Sequence, residues 1–120
     1  MAAIYTATDV LLAATLGEGY GLTVAEAQAC GTLVVANDFS AQPELVGDGF
    51  LVESQPWWDP AQAAWFSTPL VPSIVTALED AYRRGHTSSD KARAHIVDNF
   101  DADLLFDTGW RPLLAELGAR

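Results

Sequence analysis

Not one lysine or arginine occurs before Arg83. Residues 1–82 hold ten acidic side chains and no basic one, whereas residues 83–120 hold six of each, so the net charge of −10 belongs wholly to residues 1–82. Nucleic acid is excluded as a partner, because lysine and arginine supply most of the affinity for a phosphate backbone. Anionic lipid is repelled on the same ground. Cysteine is nearly absent: Cys30 stands alone, which rules out a disulfide framework and fits a reducing, cytoplasmic setting. No apolar run nears the roughly 20 residues that cross a bilayer, so no transmembrane segment is expected. The opening MAAIYTATD has neither the basic start nor the cleavage site of a signal peptide. Repeats and low-complexity tracts are missing as well.

What remains is a globular composition. The chain has 120 residues, 50% of them hydrophobic and 18% charged, enough for one domain with a moderate core. Three apolar runs read as strands: DVLLAA at 9–14, TLVVAN at 32–37 and GFLVE at 49–53. They are continuous rather than alternating, as in strands covered on both faces. A helical stretch at 22–30 separates the first two, and DFSAQPELVGD leaves room for a short helix before the third. Strand, helix, strand is the βαβ pattern of a parallel sheet.

The Pro- and Trp-rich stretch 54–69 reads as a connection, with Trp57 and Trp58 placed either to stack on a sugar ring or, the favoured reading, to plug a satellite cluster under a long loop. Beyond it Val71, Ile74, Val75, Leu78 and Ala81 repeat at helical spacing, with Pro72 in the first turn and Gly85 after the end. Ser88 or Ser89 is placed to cap a helix running to about Asn99, and Asp101 a third helix that Gly109 and Pro112 interrupt. The chain opens inside what reads as the end of a helix. The expected fold class is α/β, a partial Rossmann-like parallel sheet of about three strands with flanking helices. Residues 1–85 form this incomplete domain and residues 86–120 a helical tail. Buried-type strands in so small a sheet imply a neighbour supplied from elsewhere.

The stretch GEGYGLTVAEAQACG, residues 17–31, sets two acids around a glycine bend. TVAE reads as a capping box, in which Thr23 takes the N–H of Glu26 and Glu26 reaches back to Thr23. Gly19 and Gly21 would then supply positive φ. On residue types alone this structural reading of Glu26 is the favoured one, but it leaves Glu18 unexplained. A glycine bend that opens a helix after a parallel strand also presents free N–H groups and a partial positive charge, which suits an anion. Ligands of open α/β sheets sit at this end, and carboxylates there accept hydrogen bonds from sugar hydroxyls. Phosphate with hydroxyls means a sugar nucleotide.

Residues 5–52, with Glu-x7-Glu enclosing Gly-Tyr-Gly and followed by ACG and Pro-Glu, resemble the donor-binding segment of retaining, GT-B-fold glycosyltransferases of the family 4 (group 1) type. The resemblance implies transfer of a sugar from a nucleotide-diphospho-sugar to an acceptor hydroxyl with retention, without cofactor or bound metal. It assigns Glu18 to hydroxyls of the donor sugar, as the one catalytic residue. The backbone of Gly19, Tyr20, Gly21 and Leu22 would line sugar and diphosphate, with the N–H groups of Leu22 and Thr23 facing the phosphates. Glu26 would hold the ribose, and Glu44 is structural. Ser40, Ala41 and Gln42 stand where the family has a glycine pair. In that family an Arg/Lys pair gripping the diphosphate comes from an earlier segment, and the acceptor site from a preceding domain. The chain is therefore expected to be inactive until a missing N-terminal domain or partner chain completes it. The alternative is a non-catalytic module that binds a sugar nucleotide or a partner.

Other motifs carry less. Gly17-x-Gly19 finds Leu22 where a dinucleotide fingerprint needs glycine, and no lysine follows to make a P-loop. Asp101-Ala-Asp103 reads as a helix cap rather than a metal site. His86 and His95 have no partner at ligand spacing, Cys30 falls on the alanine face of its helix, and no serine lies in a nucleophile elbow. A glycoside hydrolase, which needs two carboxyls across one bond, is disfavoured by the position of Glu26 on the nucleotide side.

Overall fold

The five residues Leu33–Asn37 carry no charge, and each is at most 1% exposed. They form the central strand of a three-stranded parallel sheet in the computed structural model, which describes residues 1–85 and 88–118. In chain order the elements are α1 (Ala2–Thr6), β1 (Val10–Ala13), α2 (Leu22–Ala29), β2 (Leu33–Asn37), α3 (Gln42–Leu45) and β3 (Gly49–Val52). There follow β4 (Ser54–Asp59), β5 (Ala64–Pro69), α4 (Val71–Arg84), α5 (Asp90–Phe100), α6 (Ala102–Leu105), a π-helical turn (Phe106–Trp110) and α7 (Arg111–Gly118). The sheet order is β1-β2-β3, with Leu11 opposite Val34 and Val35 opposite Phe50.

Side chains alternate between the two faces of this sheet. Val34 and Ala36 pack with Tyr5, Ala13, Val24, Ala27 and Leu45 under α1, α2 and α3. Val35 packs with Val52 and Ala77, flanked by Val10, Phe50, Ile74 and Leu78, under α4. Burying each Val or Leu of β2 contributes roughly 1.5–3 kcal/mol, and helices on both faces explain why the strand reads as an unbroken apolar run. The α/β class and partial parallel sheet are as expected. The unit boundary at 85/86 falls beside His86 and Thr87, which lie outside the described residues, as does the question of metal binding by His86.

Residues 54–69 differ from expectation. They form an antiparallel hairpin, with Trp57 opposite Phe66 and Trp58 opposite Trp65. Pro56 and Pro69 argued against strands, but a two-stranded ribbon has free edges where a missing N–H costs nothing. Trp57 stacks on Phe66 at 5.3 Å and Trp58 meets Trp65 edge-on at 5.6 Å, aromatic pairs that favour the ribbon. Nor are the tryptophans plugged beneath a loop: Trp57, Trp58 and Trp65 are 40%, 47% and 60% exposed. The helical tail is also more elaborate than expected. Asp101 caps α6 through Asp103 and Leu104, and the wide π-helical turn holds Gly109 and delivers Pro112 to the second position of α7. Every residue from 101 to 118 is exposed.

One polar junction ties helices to sheet. Gln28 in α2 is fully buried; its amide donates to the carbonyls of Thr32 and Asp48, both at 2.9 Å, and its oxygen accepts from the N–H groups of Gly47 at 2.9 Å and Asp48 at 3.0 Å. The Asp48 carboxylate in turn accepts Arg84 at the end of α4, at 2.8 Å, and the Ser89 hydroxyl ahead of α5. Ser89 also caps α5, accepting from the Ala92 N–H at 3.1 Å. Arg84 holds the Asp48 carboxyl below its usual range, against the opposing effect of burial, with further help from Ser89 and Lys91.

Two expectations follow. A carboxyl that is more acidic folded than unfolded supports the fold above the ordinary Asp range and ceases to as pH falls below about 4. Asp48→Asn should therefore lower stability at neutral pH by roughly 1–2 kcal/mol, since Arg84 is well exposed and screened, and flatten the acid side of a melting-temperature profile. Gly21, at φ 94 with space for a Cβ only 3.0 Å from Leu45 Cδ1, should cost about 1–2 kcal/mol in urea unfolding when replaced by alanine.

Candidate functional site

The chain leaves the carboxyl end of β1 and is pinned before it turns. The carbonyl of Thr15 accepts from Asn37 Nδ2 at 2.9 Å, and that of Leu16 accepts from the N–H of Ser67 in β5 at 2.9 Å. Glu18 is bracketed by Ser40: its N–H donates to Ser40 Oγ at 2.9 Å, and the Ser40 hydroxyl donates back to the Glu18 carbonyl. Ser40 has φ 58, in the left-handed region that favours glycine. A serine is tolerated where the related pattern has glycine because its hydroxyl ties the loop together, also accepting from the N–H of Ala41 at 2.7 Å. Gln42 does comparable work, accepting from the Asn37 N–H at 2.7 Å and donating to Thr15 Oγ1.

The expected capping box does not form. Helix α2 begins at Leu22 with Gly21 as its N-cap, so Thr23 is already its second residue and no side chain caps it. The Gly21 carbonyl accepts from Val24 at 3.0 Å and Ala25 at 3.1 Å, leaving the N–H groups of Leu22 and Thr23 without a partner in the helix. Positive φ is likewise confined to Gly21 in this turn; Gly19 does not adopt it. Glu26, released from capping, instead accepts a hydrogen bond at 3.0 Å from the phenol of Tyr5 in α1.

These placements define an outward face. Val24, Ala27 and Gln28 of α2 are buried, while Leu22, Thr23 and Glu26 are exposed. Glu26 follows Leu22 by four positions and Thr23 by three, and helical side chains lean toward the N-terminus. Glu26 therefore stands on the same helix face as these two residues, one turn on, with its carboxylate on the Tyr5 phenol. Glu18 is half-buried, and Gly19 and Tyr20 are exposed, with the Tyr20 ring edge-on to Phe100 of α5 at 6.4 Å. The structure thus collects Glu18, Gly19, Tyr20, Gly21, Leu22, Thr23 and Glu26 around one bend beyond the carboxyl end of β1. Glu44 is exposed on α3, and its carbonyl meets His95 Nε2 at 2.8 Å.

The electrostatics are one-sided. The bend has the partial positive charge of a helix N-terminus, while at the far end of α2 the Arg93 guanidinium donates to the Ala29 carbonyl at 2.7 Å and offsets the negative pole. No basic residue lies within 1–82, and Arg84 is engaged by Asp48. Burial first, then the hydrogen bond to Glu26, pushes the Tyr5 phenol above its ordinary range, with the charges of Glu26 and Cys30 adding to the effect. A cavity of about 370 Å³ lies elsewhere, between β1 and α4, lined by Asp9, Val10, Leu78, Ala81, Tyr82 and Gly85. Among the described residues no three of His, Cys, Asp and Glu gather as metal ligands, and no helix is long and apolar enough to cross a membrane.

Sequence reasoning passed over Tyr5, and it marked Ser40 and Gln42 only as departures from the family pattern, without their bonds to Glu18, Asn37 and Thr15. The polar residue ending the apolar run TLVVAN was a signal for Asn37, which is 1% exposed and joins the segment after β1 to β2 and β5 through its amide. The partnership of Tyr5 with Glu26 spans 21 positions and leaves no local trace.

The sequence model of the family described as Glycosyl transferases group 1 matches residues 1–65. O-antigen chain mannosyltransferase B of Escherichia coli is 31% identical over 91 residues, covering 76% of this chain and 22% of that protein. D-inositol 3-phosphate glycosyltransferase of Corynebacterium aurimucosum is 33% identical over 108 residues, 88% of this chain and 26% of that protein. The protein of the same name from Segniliparus rotundus is 41% identical over 63 residues, covering 50% of this chain and 13% of its own length. The chain spans about a quarter or less of the length of these curated relatives. No solved structure matches it. The family match takes in the whole parallel sheet, both acids and the glycine bend between them, and it covers more than half of the 120 residues: the chain belongs to the group 1 glycosyl transferases.

Proposed function

We propose that the chain forms the donor side of a glycosyltransferase that moves a sugar from a nucleotide-diphospho-sugar to an acceptor hydroxyl with retention of configuration. The observation that carries this reading is the uncapped start of α2, with the N–H groups of Leu22 and Thr23 open beside an exposed Glu26. Two convergent amides at a helix N-terminus suit a diphosphate. Glu26, on the same helix face, accepts the ribose hydroxyls. Glu18, held through its backbone by Ser40, accepts hydroxyls of the donor sugar, and the backbone of Gly19, Tyr20, Gly21 and Leu22 lines sugar and diphosphate. The names of the relatives, a mannosyltransferase and D-inositol 3-phosphate glycosyltransferases, support glycosyl transfer as the class of reaction.

In this reading no side chain attacks the sugar. The departing diphosphate takes the proton of the acceptor hydroxyl, and the protein contributes position and charge stabilisation, without a bound metal. Amide dipoles alone neutralise little of a diphosphate, and residues 1–82 offer ten acids and no base. The cation is supplied by a segment or partner outside these residues, as is the acceptor site, and the chain by itself transfers nothing. A lone, half-buried Cys30 accords with cytoplasmic action.

The test is an NMR titration of the chain with uridine, guanosine and adenosine diphosphates. At least one should move the Leu22 and Thr23 amide signals, with weak, millimolar-range affinity. Glu26→Gln should weaken that binding about tenfold, the effect of losing one charge-assisted hydrogen bond. Glu18→Gln should leave diphosphate binding unchanged while reducing the gain from adding the sugar. Shifts confined to other residues, or none with any of the three, defeat the donor-site reading. Binding that never leads to transfer once a preceding segment of a relative is joined would make the chain a binding module instead.

A further inference from the structure

We propose that Tyr5 is a positioning residue for Glu26, fixing one carboxylate oxygen so that the other meets the paired hydroxyls of a ribose. This rests on the donor-site reading and adds a residue to it. Tyr5 is 6% exposed, packed among Ala13, Val24, Ala27, Val34 and Leu45, and its phenol donates to Glu26 Oε2 at 3.0 Å. Its main chain is anchored too, because the Tyr5 carbonyl accepts from the Thr32 hydroxyl at 2.8 Å, tying α1 to the start of β2.

A rigid donor therefore meets an otherwise free acid. Glutamate on an exposed helix face samples several rotamers, and ordering it on binding costs affinity. Held by a phenol locked into the core, Glu26 loses that freedom before a ligand arrives. Its Oε1 remains to accept, on the helix face that also carries Leu22 and Thr23 one turn earlier. A single bond from Tyr5 also leaves the carboxyl group lone pairs for two hydroxyl donors. A merely structural Tyr5 would need only the ring; the hydroxyl aimed at an exposed acid is what the packing does not require.

The decisive variant is Tyr5→Phe, which keeps the buried ring. Wild type, Tyr5→Phe, Glu26→Gln and the double variant are titrated with the three ribonucleoside diphosphates, their 2′-deoxy counterparts and inorganic pyrophosphate. The inference expects Tyr5→Phe to weaken ribonucleotide binding about three- to tenfold, to weaken 2′-deoxynucleotide binding less, and to leave pyrophosphate binding unchanged. The double variant should be no worse than Glu26→Gln. Unchanged ribonucleotide binding, or an equal loss for pyrophosphate, reduces Tyr5 to a structural residue and overturns the inference.

Two further outcomes separate it from the reading beneath it. Pyrophosphate binding with no preference for ribose in wild type removes the role of Tyr5 and leaves the phosphate-binding bend standing. No binding of any probe removes both. A second measurement needs no ligand: the Tyr5 phenol, identified by its loss in Tyr5→Phe, should ionise at lower pH in Glu26→Gln than in wild type. Identical titrations would show that the hydrogen bond is absent in solution and would sink the inference. Glu26→Asp, which keeps the charge but shortens the reach, should mimic Tyr5→Phe in its selective loss of ribonucleotide affinity.

Discussion

A single buried amide holds the molecule together where its hydrophobic contacts are thinnest. Helix α2 carries little bulk toward the sheet, its buried residues being Val24, Ala27 and Gln28. Alanine leaves it few contacts with which to set its height and rotation. Gln28 settles both through four hydrogen bonds to Thr32, Gly47 and Asp48. All four partners are backbone groups that would otherwise be left unpaired near the core, a cost of about 1–3 kcal/mol each. Because Asp48 also receives Arg84 and Ser89, the ends of α4 and α5 converge on the same point. The orientation of α2, and hence where its first turn faces, depends on this junction.

With the helix so fixed, its two ends are treated differently. The carboxyl end is closed by Arg93, and the amino end is left uncapped by any side chain. Side-chain caps stabilise helices by about 1 kcal/mol, so an exposed helix start without one forgoes available stability. Such departures from local consistency are where function is expected. The acids on either side suit hydroxyl groups, and the amides suit an anion. Because the surrounding charge is negative, an anion at this bend would gain nothing from long-range attraction, and only short-range geometry would favour it.

Much of the architecture was legible because its signals are local. Continuous apolar runs marked β1, β2 and β3 to within about a residue or two, Pro72 and Gly85 bracketed α4, and Ser89 capped α5. The bend was legible through its glycines, and the family through the spacing of Glu18 and Glu26. What escaped was set by partners distant in sequence. Prolines at 56 and 69 hid a ribbon whose aromatic pairs exist only once the strands meet. The motif TVAE satisfies a capping box on paper, yet Gly21 starts the helix two residues earlier and Tyr5 claims the acid. Ser40 departs from the family pattern without opening the loop, because one hydroxyl ties Glu18 to Ala41.

The tail beyond α5 stands apart from all of this. Leu104, Leu105, Phe106, Trp110, Leu113, Leu114 and Leu117 are each at least 40% exposed, and none of residues 101–118 is buried. Substitutions there disturb no side chain of the sheet, whereas a change at Gln28 or Gly21 reaches several elements at once. Evolutionary drift should therefore run fast in the tail and slowly around the bend.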